Sequence, residues 1–267
     1  MQRYRKRAVK SFSLLWYNLY LFIPEIIASI ITIVSGIILS YYTGLMPLLT
    51  QGLVAYSKEM WVGFFKENTL KLILSLMVFF IINFLVGVSM TAFKLSMVTN
   101  IIKKKKNNLV EQFKISGDYF WKIVWLRVLM FLILVIILIG IALLSELAVL
   151  FFSFRYSILI IALFIVLGLV LYKAIILFAF PLLFLKNKKP GHALAHSYIY
   201  LKKKTLHVST VLLILALIVV LITFVFSGLS YLIGLIYVSL ITATVLGYLQ
   251  KWVIGLIVDL YLFLNLE

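Results

Sequence analysis

The sequence predicts an all-α polytopic membrane protein: a helical bundle of six transmembrane helices, arranged as three pseudo-repeated hairpins with cytoplasmic amphipathic helices. Three observations predict it. The composition is too apolar for water, six apolar runs are long enough to cross a bilayer, and clusters of Lys and Arg recur ahead of three hairpins.

Of the 267 residues, 65% are hydrophobic and 12% charged, with a mean hydropathy of +1.19. A soluble domain carries about 25% charged residues to solvate its surface, so lipid is the solvent here. A hydrocarbon layer of about 30 Å needs about 20 apolar residues of helix. Backbone groups in lipid must be satisfied internally, which leaves helices or closed barrels. Long Leu, Ile, Val and Phe runs without polar alternation exclude a barrel.

The spans read as about 19–40, 70–100, 123–152, 156–185, 206–230 and 232–263. The N-terminus is basic and then apolar, like a signal peptide. However, the run from Leu19 to Leu39 is too long and lacks a small-x-small cleavage pattern, so it reads as a retained first span. The fifth and sixth spans divide at Ser227-Gly228-Leu229-Ser230, because undivided they would form one helix of about 55 residues, longer than a bilayer requires. The chain is a single integral membrane domain, 1–267, with repeats at about 1–100, 101–185 and 186–267.

Orientation follows from the basic residues. The N-terminal tail has five (Arg3, Arg5, Lys6, Arg7 and Lys10), the loop after the second span seven, from Lys103 to Arg127, and the loop after the fourth span six. The opposite side has four, Lys58, Lys66, Lys71 and Arg155. This bias places both termini in the cytoplasm and the protein, multi-pass, in the cell membrane. The net charge of +17 is clustered at the ends of apolar segments, the pattern of headgroup contact rather than nucleic-acid binding. The implied partners are membrane lipids with anionic headgroups. Their surface would be Arg3, Arg5, Lys6, Arg7, Lys103, Lys104, Lys105, Lys106, Lys186, Lys188, Lys189, Lys202, Lys203 and Lys204.

Each basic segment also has an apolar side. In the first it is Tyr4, Ala8, Phe12, Leu15, Trp16 and Leu19. In the second, Asn108 and Glu111 have capping-box-like spacing, followed by Val110, Phe113, Phe120, Ile123 and Val124. In the third, Pro190 suits a first helical turn, followed by Leu194, Tyr198, Ile199 and Leu201. Such helices lie in the headgroup plane, either orienting the next span or sensing lipid. An insertion at 41–69, with Pro47, Trp61, Phe64 and Phe65 among Lys58, Glu59, Lys66 and Glu67, predicts an interfacial or re-entrant outer helix.

Residues 190–204, PGHALAHSYIYLKKK, resemble an element of a poorly characterised group of multi-spanning proteins. The group includes the membrane domain found beside some glycerophosphodiester phosphodiesterases. There a span ends near a Pro, a polar turn follows, and an Ala-Leu-x-x-Ser-x-x-Leu helix leads into the next span. Pro181, Ala193, Leu194, Ser197 and Leu201 approximate this. The resemblance implies the six-span layout and no activity, since the catalytic domain has no counterpart in these residues.

The spans contain a few charges. Glu25 follows Pro24 in the first span, and Lys94, Lys173 and Lys251 lie in the three returning spans. Glu25 and Lys94 fall about 10 Å inside the cytoplasmic boundary, Lys173 and Lys251 deeper, and Asp259 nearer the cytoplasmic end. Intramembrane charges are costly and face a partner or a wet cavity. These four would converge on a cytoplasm-facing polar cavity that holds an anionic headgroup or solute; the alternative is that each lysine snorkels separately to the interface.

Other motifs are sparse. His192 and His196 have the spacing of two zinc ligands but no third ligand nearby, so an interfacial pair is expected, and His207 is expected to be structural. Gly87, Gly168, Gly228, Gly234, Gly247 and Gly255 read as close-packing points between helices. Glu146 and Arg155 would pair across a short outer turn. The sequence has no cysteine, no phosphate-cradling loop and no nucleophile elbow, so neither cofactor, metal site nor catalytic residue is expected. These readings point to a non-catalytic membrane protein that handles or senses lipid. A small permease for an anionic solute or lipid is the alternative.

Overall fold

With lipid as solvent, each backbone N–H must find its acceptor within its own segment, and the chain folds almost entirely as helix. The computed structural model describes residues 2–46, 58–105, 108–151, 154–236 and 240–266. Only the backbone is described at 58–61, 148, 151, 154–155, 231–236 and 240–243. The helices are α1 (Gln2–Tyr17), a 3₁₀ turn (Leu19–Phe22), α2 (Ile23–Tyr42), α3 (Lys58–Ile102), α4 (Leu109–Phe151), α5 (Phe154–Ile176), α6 (Ala179–Leu185), α7 (Pro190–Lys203), α8 (Thr205–Ile236) and α9 (Leu240–Leu266). There is no strand among the described residues.

Six segments are long and apolar enough to cross a membrane, so the chain is a multi-pass membrane protein by length and composition: Leu19–Tyr42, Val62–Ile102, Leu109–Leu147, Tyr156–Leu185, Thr205–Ser230 and Thr244–Leu266. Two boundaries differ from the sequence reading. Helix α8 runs unbroken through Ser227-Gly228-Leu229-Ser230, because small residues keep their intrahelical bonds and a Gly costs a helix only about 1 kcal/mol. Residues 58–69 form no separate outer helix but open α3, whose 45 residues span about 67 Å, about twice the hydrocarbon thickness. Pro47 and Lys106 lie outside the described residues, as do the side chains of Lys58, Glu59, Trp61 and Arg155, and with the last the expected Glu146–Arg155 pair.

Consecutive helices pair, α2 with α3, α3 with α4, α4 with α5 and α8 with α9, while α1 lies against α9. Both termini therefore share one end of the bundle, and the buried core gathers there. It includes Leu95, Met97 and Val98 of α3, Ile123 and Leu126 of α4, Phe178 and Leu183 around α6, Val208 and Val211 of α8, and Leu256 to Leu264 of α9. Further along the helices apolar side chains stay exposed, as with Phe224 at 78%, which suits a lipid surround.

Local chemistry sets the helix ends at this core. Asn108 accepts a hydrogen bond from the Val110 backbone at 3.2 Å and caps α4. Pro190 opens α7 in its first turn, and Pro24 does the same for α2. At the far end of α2, Gly44 adopts a φ of 76°, a left-handed turn that costs Gly no Cβ clash.

The amphipathic faces match the expected ones in part: Tyr4, Ala8, Leu15, Phe120, Ile123, Val124, Leu194 and Leu201 pack inward, and other expected residues do not. On α1 the packed stripe is Tyr4, Ala8, Ser11 and Leu15, at i, i+4, i+7 and i+11, while Phe12, Trp16 and, beyond the helix, Leu19 are exposed. On α4 the inward residues are Gln112 and Ser116, because Ser96 of α3 donates to Gln112 at 2.6 Å; Val110 and Phe113 face out, although Phe113 still meets Phe93 edge-on. On α7 they are Ala193, Leu194 and Ser197, with Tyr198 and Ile199 exposed. In each case a small or polar residue admits a closer neighbour than an aromatic would.

Candidate functional site

Pro24 starts α2 immediately before Glu25, so the carboxylate sits in the first turn, where the helix dipole favours negative charge. Helix α3 brings Lys94 to it. The ammonium lies 2.8 Å from Glu25 Oε1 and 2.8 Å from Asp259 Oδ2 of α9. All three side chains are largely buried, Lys94 being 13% exposed. One cation thus joins the first, second and sixth spans through two carboxylates. Gly255 lies one turn before Asp259, and a Cβ there would stand 4.0 Å from Lys94 Nζ.

Beside this triad is a polar cavity of about 350 Å³, lined among others by Glu25, Ser29, Thr91, Arg127, Lys251 and Trp252. Arg127 projects from α4 and donates from Nη2 to Thr91 Oγ1 at 2.8 Å and to the Gly87 carbonyl at 3.2 Å. Gly87 lies against this guanidinium: a Cβ there would stand 3.5 Å from Arg127 Nη1, an ordinary contact. The Trp252 indole donates to Ser29 Oγ at 3.1 Å and ties α9 to α2. The triad and cavity together hold three cations, Lys94, Arg127 and Lys251, against the two carboxylates.

Of the four charges expected to converge, Glu25 and Lys94 touch, and Lys251 lines the same cavity as Glu25. Lys173 does not join them; it stands exposed near the end of α5. Two participants were missed. Asp259, expected nearer the cytoplasmic end than the four, joins Lys94 because α9 packs against α3 there. Arg127 was counted with a loop, but α4 is continuous from Leu109 and carries it into a span. Its spacing from the next upstream basic residue, Lys122, was the available signal, since it lies well inside the apolar run.

The basic residues gather at the terminus-bearing end. Arg3, Arg5, Lys6 and Arg7 are on α1, Lys103, Lys104 and Lys105 follow α3, and Lys186, Lys188 and Lys189 join α6 to α7. Lys202, Lys203 and Lys204 close α7. Lys103 donates to the Leu185 carbonyl at 3.4 Å, and Lys122 to Asn187 Oδ1 at 3.0 Å, tying the α6–α7 turn to its neighbours.

His192 and His196 are exposed on α7, and no group of three metal-ligating side chains occurs among the described residues. Local desolvation, then the charges of Lys188, His192 and Lys186, hold the His196 imidazole below its ordinary pKa. His207, near the start of α8, lies 2.6 Å by Nδ1 from the Tyr4 hydroxyl and stacks over Phe178. Nearby, burial pushes the Tyr200 hydroxyl above its ordinary pKa against the pull of Arg7 and Arg3, so it stays protonated and able to donate. Among the glycines, Gly168 is the tight contact, with Ile141 Cδ1 2.6 Å from a Cβ built there. A Cβ at Gly228 or Gly247 would meet nothing within 4 Å among the described residues, and the side of Gly234 lies outside them.

No family model, curated protein or solved structure matches this chain.

Proposed function

We propose that the protein handles anionic lipid at its basic, terminus-bearing end, which the Lys and Arg bias puts in the cytoplasm at the cell membrane. One observation carries this reading: Arg127 and Lys251 line a polar cavity among apolar spans, and the ion pairs among the described residues all belong to Lys94. Arg127, half-buried, and Lys251, exposed along its helix, have no carboxylate partner among the described residues, and such charges on apolar spans are costly unless an anion or water reaches them. A lipid phosphate meets that need with its chains left in the surrounding hydrocarbon. The basic stretches of the three sequence units supply the electrostatic attraction, worth about 1 kcal/mol per Lys or Arg near an anionic surface.

The test is lipid retention. Delipidated protein titrated with phosphatidylglycerol and with phosphatidylcholine, read by native mass spectrometry, is expected to keep the anionic lipid preferentially. Arg127→Gln together with Lys251→Gln is expected to remove most of that preference. Equal retention of both lipids by the unmodified protein would overturn the reading.

A permease for an anionic solute is the second reading. The Glu25–Lys94–Asp259 triad favours it, because charge clusters joining several spans mark solute and ion paths. Reconstituted vesicles that show no anion flux above protein-free vesicles would exclude it.

A further inference from the structure

A second cavity, of about 440 Å³, lies at the terminus-bearing end where four parts of the chain meet. Its walls include Arg3 and Arg7, one turn apart on α1, Lys186 after α6, Lys204 between α7 and α8, Tyr200 of α7 and His207 of α8. None of these four cations is in an ion pair among the described residues. Like charges gathered this closely repel one another, so the arrangement is relieved by an anion.

The site is braced around that charge. Arg7 donates to Asn265 Oδ1 at 2.9 Å, and the Asn265 amide in turn donates to the Tyr261 carbonyl at 2.8 Å. The guanidinium is thereby aimed by a buried residue of α9. A Tyr4 hydroxyl that donates to His207 Nδ1, 2.6 Å away, would leave the neutral imidazole with its proton on Nε2. That Nε2 is buried with no hydrogen-bond partner among the described residues. A buried donor left unpaired is costly, and an anionic oxygen is the acceptor that would complete it. Arg forks and Lys ammoniums are the side chains suited to phosphate oxygens.

We propose that this cavity binds a phosphate monoester, and that the monoester is the headgroup of an anionic lipid. The assignment rests on the lipid reading above and deepens it by naming the headgroup class. A monoester offers three terminal oxygens and up to two charges to the four cations, where a diester offers two oxygens and one charge. Lipid rather than free phosphate is favoured by Leu266, an apolar residue of the cavity wall, and by Leu206, 86% exposed and next to His207 in sequence.

The test uses the full chain, delipidated in neutral detergent and titrated with phosphatidic acid, phosphatidylglycerol, phosphatidylcholine and inorganic phosphate. Phosphatidic acid is expected to bind at least about tenfold more tightly than phosphatidylglycerol. Arg3→Ala and Lys204→Ala, both at exposed positions, are each expected to weaken it by about tenfold, the worth of one charge-assisted hydrogen bond. Arg5→Ala and Lys6→Ala, on α1 but not lining this cavity, remove the same charge and are expected to leave it nearly unchanged. Each titration is repeated with Glu267→Gln, which removes the carboxylate that follows Leu266 in sequence, so that any competition from it shows as a gain in affinity.

Equal losses in all four variants would mean that binding follows net charge, which overturns the site but not the lipid reading. No preference for either anionic lipid over phosphatidylcholine, in either background, would overturn both. Inorganic phosphate that binds with the same dependence on Arg3 and Lys204, and is not displaced by phosphatidic acid, would overturn the lipid as occupant.

Discussion

Lys94 Nζ lies 2.8 Å from Asp259 Oδ2, so a charge pair inside the bundle fastens the second span to the sixth. Glu25 completes the cluster, its Oε1 also 2.8 Å from the ammonium. Taking such charges out of water costs several kcal/mol per ion, so the cluster is weak evidence for net stability but strong evidence for a fixed arrangement.

The first prediction concerns that cation. Lys94→Met leaves two carboxylates near each other with nothing between them, and is expected to destabilise the protein by about 3–5 kcal/mol. Adding Glu25→Gln and Asp259→Asn should return most of the loss. Thermal unfolding in detergent measures both, and an unchanged midpoint for Lys94→Met alone would refute the buried cluster.

Helix α1 is predicted to be held by the hydroxyl of Tyr4. Tyr4→Phe removes the bond to His207 and should cost about 1 kcal/mol. The loss is expected to appear as faster amide exchange confined to Gln2–Tyr17. Faster exchange spread evenly over the chain would contradict a local role.

Gly168 and Gly228 should respond in opposite ways. Gly168→Ala meets Ile141 at 2.6 Å and is expected to cost about 1–3 kcal/mol through overpacking. Gly228→Ala meets nothing within 4 Å among the described residues and should gain up to about 1 kcal/mol of helix propensity. Unfolding of the two variants side by side provides the check, and equal shifts would argue against the α4–α5 contact.

His196 supplies a pH test. Its pKa lies below the ordinary histidine value, so protonation is resisted in the folded protein. The sign follows: any stability it contributes is present at neutral pH and is lost as pH falls through the ordinary value toward the lowered one. Lys188→Ala should move the titration upward, measured by NMR of the imidazole. A downward or absent movement would contradict the electrostatic cause.

Much of the architecture was legible because lipid imposes a strong rule. An apolar run about 20 residues long has few alternatives to a spanning helix, and all six spans were found this way. The break after the fifth span was misplaced because Ser227 and Gly228 weaken a helix without ending it. Periodicity showed that α1, α4 and α7 have an apolar side but not which side is covered. Ser11, Gln112 and Ser197 took the inner positions because small or hydrogen-bonded residues fit between closely spaced helices.

What the sequence by itself determined is the helical membrane class, the six spans, the gathering of basic residues and the rarity of charge within the spans. Those properties depend on composition and local order, which solvation reads directly. The tertiary structure decided which charges meet: Lys94 with Glu25 and Asp259, Arg127 with Thr91, and Arg3 and Arg7 with Lys186 and Lys204 around one cavity. Height along a helix can be counted from the chain, but azimuth and neighbour are set by how side chains of several helices interdigitate. That is why Lys173, expected to converge with Lys94, ends on an exposed face while Asp259 completes the cluster.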